Sequence, residues 1–263
     1  MRHLRLVLLI LGAAVLAAPV SAEVKTRVVD YTVGGVALQG LVAWDDAVSG
    51  KRPGVLVVHE WWGHNEHART AARRLAEAGY VGFALDMYGK GKIAKHPDDA
   101  MKFMAEATKD PSVLNARFEA ALAALKKHPR VDATKIGAIG YCFGGSVVLS
   151  QARMGKDLDV VASFHGGLAG LAPVKPGVVK AEVLVFTGAA DPMVPADQVS
   201  TFKKEMEAAG AKLDIVSYPN AKHGFTNPDA GTFGMDALGY DAAADKASWA
   251  EMLKAFKRVF SLS

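Results

Sequence analysis

Two periodicities divide the chain. "TRVVDYTVGGVALQGLVAW" carries apolar positions on either side of Gly34-Gly35, the pattern of two antiparallel strands joined by a tight turn. "GVLVVHE", "VGFALD", "KIGAIGY", "DVVASFHG", "AEVLVFTGA" and "KLDIVSYP" are instead short, nearly continuous apolar runs, as expected of strands covered on both faces. Between them, apolar residues return every three or four positions. That helical period runs through "NEHARTAARRLAEAGY", where Asn65 suits the N-cap and Gly79 the stop, and then through "DAMKFMAEA" and "VLNARFEAALAALKKH". It continues in "GSVVLSQARM", "PADQVSTFKKEMEAAG" and "ADKASWAEMLKAFKRVF". "MYGKGKIAKHPDD" follows neither period and reads as a loop placed to overhang a site.

Buried strands alternating with helices predict an α/β protein with a mostly parallel central sheet and helices on both faces. Right-handed crossovers then gather the loops that follow the strands along one sheet edge, where ligands bind. No repeat, low-complexity tract or linker interrupts residues 23–263, so one domain is expected there.

The first 22 residues stand apart. A basic start, "MRHLR", precedes the apolar "LVLLILGAAVLAA" and the small-residue end "PVSA". This is the build of a cleaved secretory signal, too short in its apolar part to span a bilayer comfortably, and it predicts a periplasmic or secreted protein beginning near Glu23. Without Arg2 and Arg5, 29 basic residues face 27 acidic ones, with no block of like charge. A nucleic-acid or membrane-surface partner therefore has no electrostatic footprint. Export also gives the lone cysteine meaning. Exported proteins commonly pair cysteines in disulfides, and Cys142 has no partner. It is either a small buried hydrophobe or a thiol kept for chemistry.

Cys142 lies in "GYCFGG", where an apolar strand meets a helix, in the pattern G-x-C-x-G. The logic matches the nucleophile elbow: a sharp turn projects the side chain at the sheet edge, and small flanking residues let strand and helix approach. The helix N-terminus favours a thiolate and a nearby oxyanion. Neither G-x-G-x-x-G nor G-x-x-x-x-G-K-[ST] is present to suggest a nucleotide instead. A thiol needs a base, and the base an orienting acid. "AADPMVP" puts Asp191 just past one strand, and "NAKHGF" puts His223 past the next, in the chain order nucleophile, acid, histidine. A turn-forming aspartate and a surface histidine are the plainer readings of each alone, and their joint placement outweighs them. "GVLVVHEWWGHN" leaves Glu60 at the same edge, where a carboxylate is paired, capping or useful. The amides of Trp61 and Phe143 are the expected oxyanion donors.

"HEWWG", "LDMYG", "GYCFGG", "ADPMVP" and "HGF", in that order from about Val24 onward, resemble the dienelactone hydrolase family. The resemblance implies an α/β-hydrolase fold, a triad of Cys142, His223 and Asp191, and no cofactor. It also implies that Glu60 holds the resting thiol until substrate releases it. Two positions depart from the founding members, whose arginines bind the substrate carboxylate. Here they are Lys90, which lacks the bidentate fork, and Asn227, which lacks the charge. Some other small ester or lactone is therefore favoured over dienelactone.

His59, His64 and His67 cluster with Glu60 and Glu66, but without the helical pair and third ligand of a metal site, so no metal is expected. His165 ends a strand at the same edge, as pocket lining or as a hydrogen-bonded structural histidine. Trp61, Trp62, Tyr88, Tyr141, Phe143 and Phe225 fall near strand ends, as an acyl-pocket wall or as core. The residues expected to touch substrate are Tyr88, Lys90, Tyr141, Phe225 and Asn227. The expected activity is hydrolysis of small esters or lactones through an acyl-thioester on Cys142. The alternatives are a thioesterase or acyltransferase with the same triad, or a non-catalytic thiol redox or binding protein.

Overall fold

The computed structural model describes residues 23–262, so the expected leader and its cleavage site lie outside the described residues. Strands β1 (Val24–Val33) and β2 (Val36–Asp45) form the anticipated hairpin. Its turn needs positive φ at two successive positions, 56° at Gly34 and 79° at Gly35, a conformation that glycine adopts without strain. The remaining strands are β3 (Arg52–Val58), β4 (Val81–Leu85), β5 (Val131–Tyr141), β6 (Val160–Phe164), β7 (Glu182–Gly188) and β8 (Leu213–Tyr218). One eight-stranded sheet results, in the order β1-β2-β4-β3-β5-β6-β7-β8, antiparallel through β1, β2 and β4 and parallel from β4 to β8.

The helices are α1 (Glu66–Glu77), α2 (Pro97–Thr108), α3 (Pro111–Lys126), α4 (Phe143–Arg153), α5 (Ala196–Ala208) and α6 (Ala242–Val259). α1 starts where the Asn65 side chain accepts the Ala68 N–H, and stops before Gly79 at φ 87°. Its buried stripe is Ala68, Ala71, Ala72, Leu75 and Ala76. Small residues let this helix lie close on the sheet, and a Cβ on Gly82 of β4 would collide with the Ala72 backbone.

Alternation along the strands feeds two cores. Val58, Ala138, Val161 and Val185 face a layer built from α2, α3, α4 and α5, including Phe118, Val148 and Phe202. Val57, Ile139, Ala162 and Phe186 face α1 and α6, including Leu75 and Phe256. Both faces of the sheet are covered, as the continuous apolar runs require. Two features were not foreseen. β5 reaches back to Val131 through a polar start, and a 3-10 turn occupies Ala230–Phe233. Among the described residues, no helix is long and apolar enough to cross a membrane.

The chain leaves β3 toward β4 on one side and later returns to β5 on the other. The carboxyl ends of β3 and β5 therefore flank the point where the winding reverses, the usual crevice for chemistry in such sheets. Glu60 follows the first of these strands and Cys142 the second.

Candidate active site

Cys142 occupies a corner that few residues tolerate. Its φ of 51° and ψ of −116° are strained for a residue with a Cβ. The corner persists because both sides are fixed. The Cys142 N–H donates to Phe164 O at 3.0 Å, and its carbonyl accepts the Ser146 N–H at 3.2 Å, opening α4. The glycines make room. A Cβ on Gly140 would lie 2.7 Å from Gly145 N and nearer still to the Gly144 carbonyl. One on Gly144 would lie 2.7 Å from His59 O and press on Val58 O. One on Gly145 would lie 2.5 Å from Ser163 Oγ. Strand, helix and the β3 end thus meet backbone to backbone around a part-exposed thiol. The Phe143 amide opens the first turn of α4, where N–H groups have no helical acceptor.

Asp191 and His223 come together at the same edge, in the loops after β7 and β8. His223 Nδ1–H donates to Asp191 Oδ2 at 2.8 Å, while Asp191 Oδ1 accepts the Met193 N–H at 2.8 Å. Both side chains are buried, Asp191 completely. Its carboxylate fixes the tautomer and leaves Nε2 as the other working nitrogen, which is buried and has no hydrogen-bond partner of ordinary geometry. Burial alone would lower the proton affinity of this imidazole. The neighbouring Cys142 sulfur, the hydrogen bond to Asp191 and the Asp191 charge outweigh burial and raise it. The imidazole thus bonds the Asp191 carboxylate directly, and among the described residues no hydrogen bond joins it to the Cys142 sulfur. In an unliganded site that contact is commonly long.

Glu60 is buried, but its Oε2 accepts the Asn227 side-chain N–H at 2.6 Å, with His67 Nδ1 at 3.6 Å. No hydrogen bond joins Glu60 to Cys142 among the described residues. The resting contact that the resemblance implied is thus replaced by one to Asn227. Asn227 is committed to Glu60 and is not offered to substrate. Lys90 is likewise engaged by another side chain, its half-exposed ammonium 3.1 Å from Asp30 Oδ2 on β1.

The aromatic residues divide. Tyr141 stacks on Phe164, 4.9 Å between centroids, and faces the α1/α6 core, while Phe225 packs fully buried against His165 and Tyr218. Both are core residues and not pocket wall. The reason is alternation: Tyr141 precedes the corner and points to the opposite face from the residue that the corner re-aims. Trp62 stacks on Phe233 at 4.1 Å, whereas Trp61 remains partly exposed. Tyr88 packs on Phe143 and His59, and its buried hydroxyl has no partner. Burial foremost, with the charges of Cys142 and Asp86 added, raises its proton affinity, so the hydroxyl is a neutral donor within reach of the sulfur's field. The Asp86 of "LDMYG" is structural: its carboxylate accepts the N–H groups of Tyr88, Gly89 and Gln39.

The histidines divide as well. His59 donates from Nδ1 to Glu60 O at 2.5 Å and accepts the Met87 N–H at Nε2, a neutral, fully engaged ring. His165 adopts φ 42°, meets Thr226 Oγ1 at 2.8 Å and lays its ring edge-to-face against His223 at 5.2 Å. Among the described residues no three acidic, histidine or cysteine side chains converge as a metal site would require. Surface hollows of about 360 Å³, lined by Arg27, Tyr31, Phe83 and His128, and about 390 Å³, lined by Thr187, Lys203 and Ile215, contain none of Cys142, Asp191 and His223. Chemistry, more than volume, marks the site. Sequence reasoning missed the Glu60–Asn227 bond, which spans 167 positions, and the approach of His67 to Glu60, since that histidine was grouped with others by proximity alone.

The model of the dienelactone hydrolase family matches residues 38–260. A promiscuous dienelactone hydrolase-like phosphotriesterase from metagenomic libraries superposes with a TM-score of 0.84 at 37% identity, over 90% of this chain and 98% of its own. A Salmonella typhimurium protein assigned as a carboxymethylenebutenolidase is 31% identical over 80% of this chain and 78% of itself. An esterase from Thermogutta terrifontis shares the fold at 18% identity and TM-score 0.60, over 91% of this chain and 92% of its own.

Proposed function

The chain belongs to the dienelactone hydrolase family and is a carboxylic ester hydrolase of α/β-hydrolase fold, and from that premise we propose that it cleaves small neutral esters or lactones through Cys142, His223 and Asp191. The observation that carries the proposal is the buried 2.8 Å His223–Asp191 contact at the sheet edge that also holds Cys142 in its strained corner. A histidine placed so stabilises a thiolate before any substrate arrives.

In this reading the Cys142 thiolate attacks the substrate carbonyl, and the oxyanion is held by the amides of Trp61 and Phe143. The imidazolium of His223 gives its proton to the departing alkoxide as the C–O bond breaks, leaving the acyl group on sulfur. His223, now neutral, takes a proton from water as the water attacks the thioester. Collapse releases the carboxylic acid and restores the thiolate–imidazolium pair. With a lactone the alcohol stays tethered, and one product results.

The engagement of Lys90 by Asp30 and of Asn227 by Glu60 supports a neutral substrate over one carrying a carboxylate. Phosphotriesters are neutral too, and the relative at 37% identity is named for them, so a phosphotriester belongs in the substrate panel. The leader at residues 1–22 supports a periplasmic or secreted location, which cell fractionation tests. The deciding experiment mixes the mature protein with esters, lactones and a phosphotriester and reads the Cys142 peptide by mass spectrometry. An acyl mass on that peptide, absent in Cys142→Ala, is expected. Undiminished turnover by Cys142→Ala would remove the nucleophile from this scheme. Products formed with added alcohol or amine acceptors would identify an acyltransferase.

A further inference from the structure

Among the described residues only three besides glycines have positive φ: Cys142 at 51°, Ser261 at 51° near the end of the sequence, and His165 at 42°. Strain of this kind persists where the surroundings over-determine it, and it gathers at functional sites. The His165 corner is fixed on both sides. Its N–H donates to Phe186 O at 2.8 Å, and Phe164 O, just before it, accepts the Cys142 N–H at 3.0 Å. A Cβ on Gly166, just after it, would lie 2.9 Å from Gly145 Cα in the first turn of α4. The second strained corner is thus built onto the first. It delivers the imidazole, fully buried, to the loop after β8. The ring packs edge-to-face with His223 and with Phe225, at 5.2 Å between centroids in each case, and Nε2 and Thr226 Oγ1 share a hydrogen bond of 2.8 Å. One side chain therefore meets three of the four residues 223–226, among them the histidine that bonds Asp191.

We propose that His165 is a positioning residue for His223: bonded to Thr226 and packed against the His223 ring, it holds residues 223–226 in the orientation that the contact with Asp191 requires. The proposal rests on the reading of His223 as the base. Packing alone does not account for a histidine here. A phenylalanine would fill the space without taking two ring nitrogens out of water, and one of them, Nδ1, is buried with no partner. What histidine adds is the bond to Thr226. The need for such a brace follows from the chemistry. His223 passes a proton twice in each turnover, so its Nδ1–H must stay on Asp191 while Nε2 works. A ring free to tilt lengthens that bond and bends it out of line. Asp191 holds the imidazole at Nδ1, and His165 restrains it from the β6 end. Burial first, with His223 and His67 beside it, keeps the proton affinity of His165 well below the usual imidazole range, so the ring stays neutral. A neutral brace sets no like charge against the proton that His223 carries.

The test uses the full mature chain with Thr226→Val, which keeps the shape and removes the hydroxyl, His165→Phe, which keeps a ring and removes the nitrogens, and the two combined. Each single variant is expected to lower kcat on a neutral chromogenic ester by roughly tenfold, with KM within about twofold, since a displacement of about 1 Å is worth roughly 100-fold and the loop should shift by less. The double variant should be no slower than the slower single, because both changes remove one bond. Thr226→Ser, which restores the hydroxyl, should recover kcat. Proton NMR at neutral pH reads the brace without substrate: the low-field His223 Nδ1–H signal should be sharp in the wild type and in Thr226→Ser, and broadened in Thr226→Val. Wild-type kcat with an unchanged signal in Thr226→Val overturns the proposal. So does a Thr226→Ser enzyme as slow as Thr226→Val, or losses that multiply in the double variant. Hydrolysis surviving His223→Gln would remove the reading of His223 as base yet leave the effect of Thr226→Val on the His223 signal as it is, so the two failures are distinguishable.

Discussion

Gly144→Ala is a small change with a large geometric demand. The added methyl would lie 2.6 Å from the Val58 carbonyl carbon and 2.7 Å from His59 O, nearer still to Val58 O. All three are backbone atoms at the end of β3, a strand paired on both sides, so none can rotate away. Restoring ordinary contact requires the start of α4 to withdraw by about 1 Å. Alanine's better helix propensity offsets up to about 1 kcal/mol of the strain, so the net loss of stability is modest, about 0–2 kcal/mol. Catalysis has no such offset. Cys142 and the Phe143 amide ride on that first turn, and a displacement of about 1 Å is worth roughly 100-fold in rate. Initial rates on a chromogenic ester, set beside urea unfolding, read the two effects separately. Gly231→Ala, whose methyl meets nothing within 4 Å, is the control and should match the wild type in both. A Gly144→Ala enzyme of wild-type kcat would refute the claim that strand–helix contact at this glycine sets the position of the sulfur.

Three further outcomes follow from the same geometry. Asp191→Asn can donate to His223 Nδ1, which moves the hydrogen to Nε2 and abolishes a base there; kcat should fall by roughly 100- to 10,000-fold, with Cys142 alkylation slowed at neutral pH. Lys90→Ala should leave KM for a neutral ester unchanged within about twofold, since the ammonium is held by Asp30 on an exposed edge; a large rise in KM would return Lys90 to the site. Acid stability tests His64, lowered to about 3 by burial first and then by the neighbouring His59 ring and the Arg69 charge. The unfolded chain takes up this proton near pH 6.5 and the folded chain refuses it, so stability should fall as pH drops from about 6.5 toward 3, by about 1.4 kcal/mol per unit for this residue. Urea midpoints from pH 7 to 4 should therefore decline less steeply in His64→Gln, and parallel curves would show that His64 titrates normally.

Local rules carried the reading of the fold far because most elements obey them. Asn65 caps α1, Gly79 ends it, and Gly34-Gly35 turns the hairpin, each within a few residues of the determining side chain. The order of Cys142, Asp191 and His223 was legible for a similar reason. Each follows an apolar run, and parallel strands with right-handed crossovers deliver the ends of such runs to one edge. What stayed hidden was direction and distance. Tyr141 and Cys142 are neighbours in sequence, yet the first faces the α1/α6 core and the second lies at the corner where alternation breaks. A strand-end residue cannot be assigned to pocket or core until the register is known, and so Tyr141 and Phe225 were proposed as substrate contacts.

Glu60 shows the limit most sharply, because its role depends on what answers it. Read alone, a carboxylate past β3 is an open valence, and the nearest thiol is an obvious partner. The fold instead brings Asn227 to it from the far end of the chain and His67 from the next helix. The Asn227 amide holds the carboxylate at 2.6 Å, with the His67 ring 3.6 Å away, and no hydrogen bond from Glu60 reaches the thiol among the described residues. An arginine in place of Asn227 would carry its own charge to Glu60. Asparagine brings only a hydrogen bond, so the hold on the carboxylate depends on that one donor. On that reasoning Asn227→Ala, which removes the 2.6 Å donor, should free the Glu60 carboxylate to turn and change the rate at which iodoacetamide alkylates Cys142, and an unchanged rate would show that the bond does not bear on the thiol.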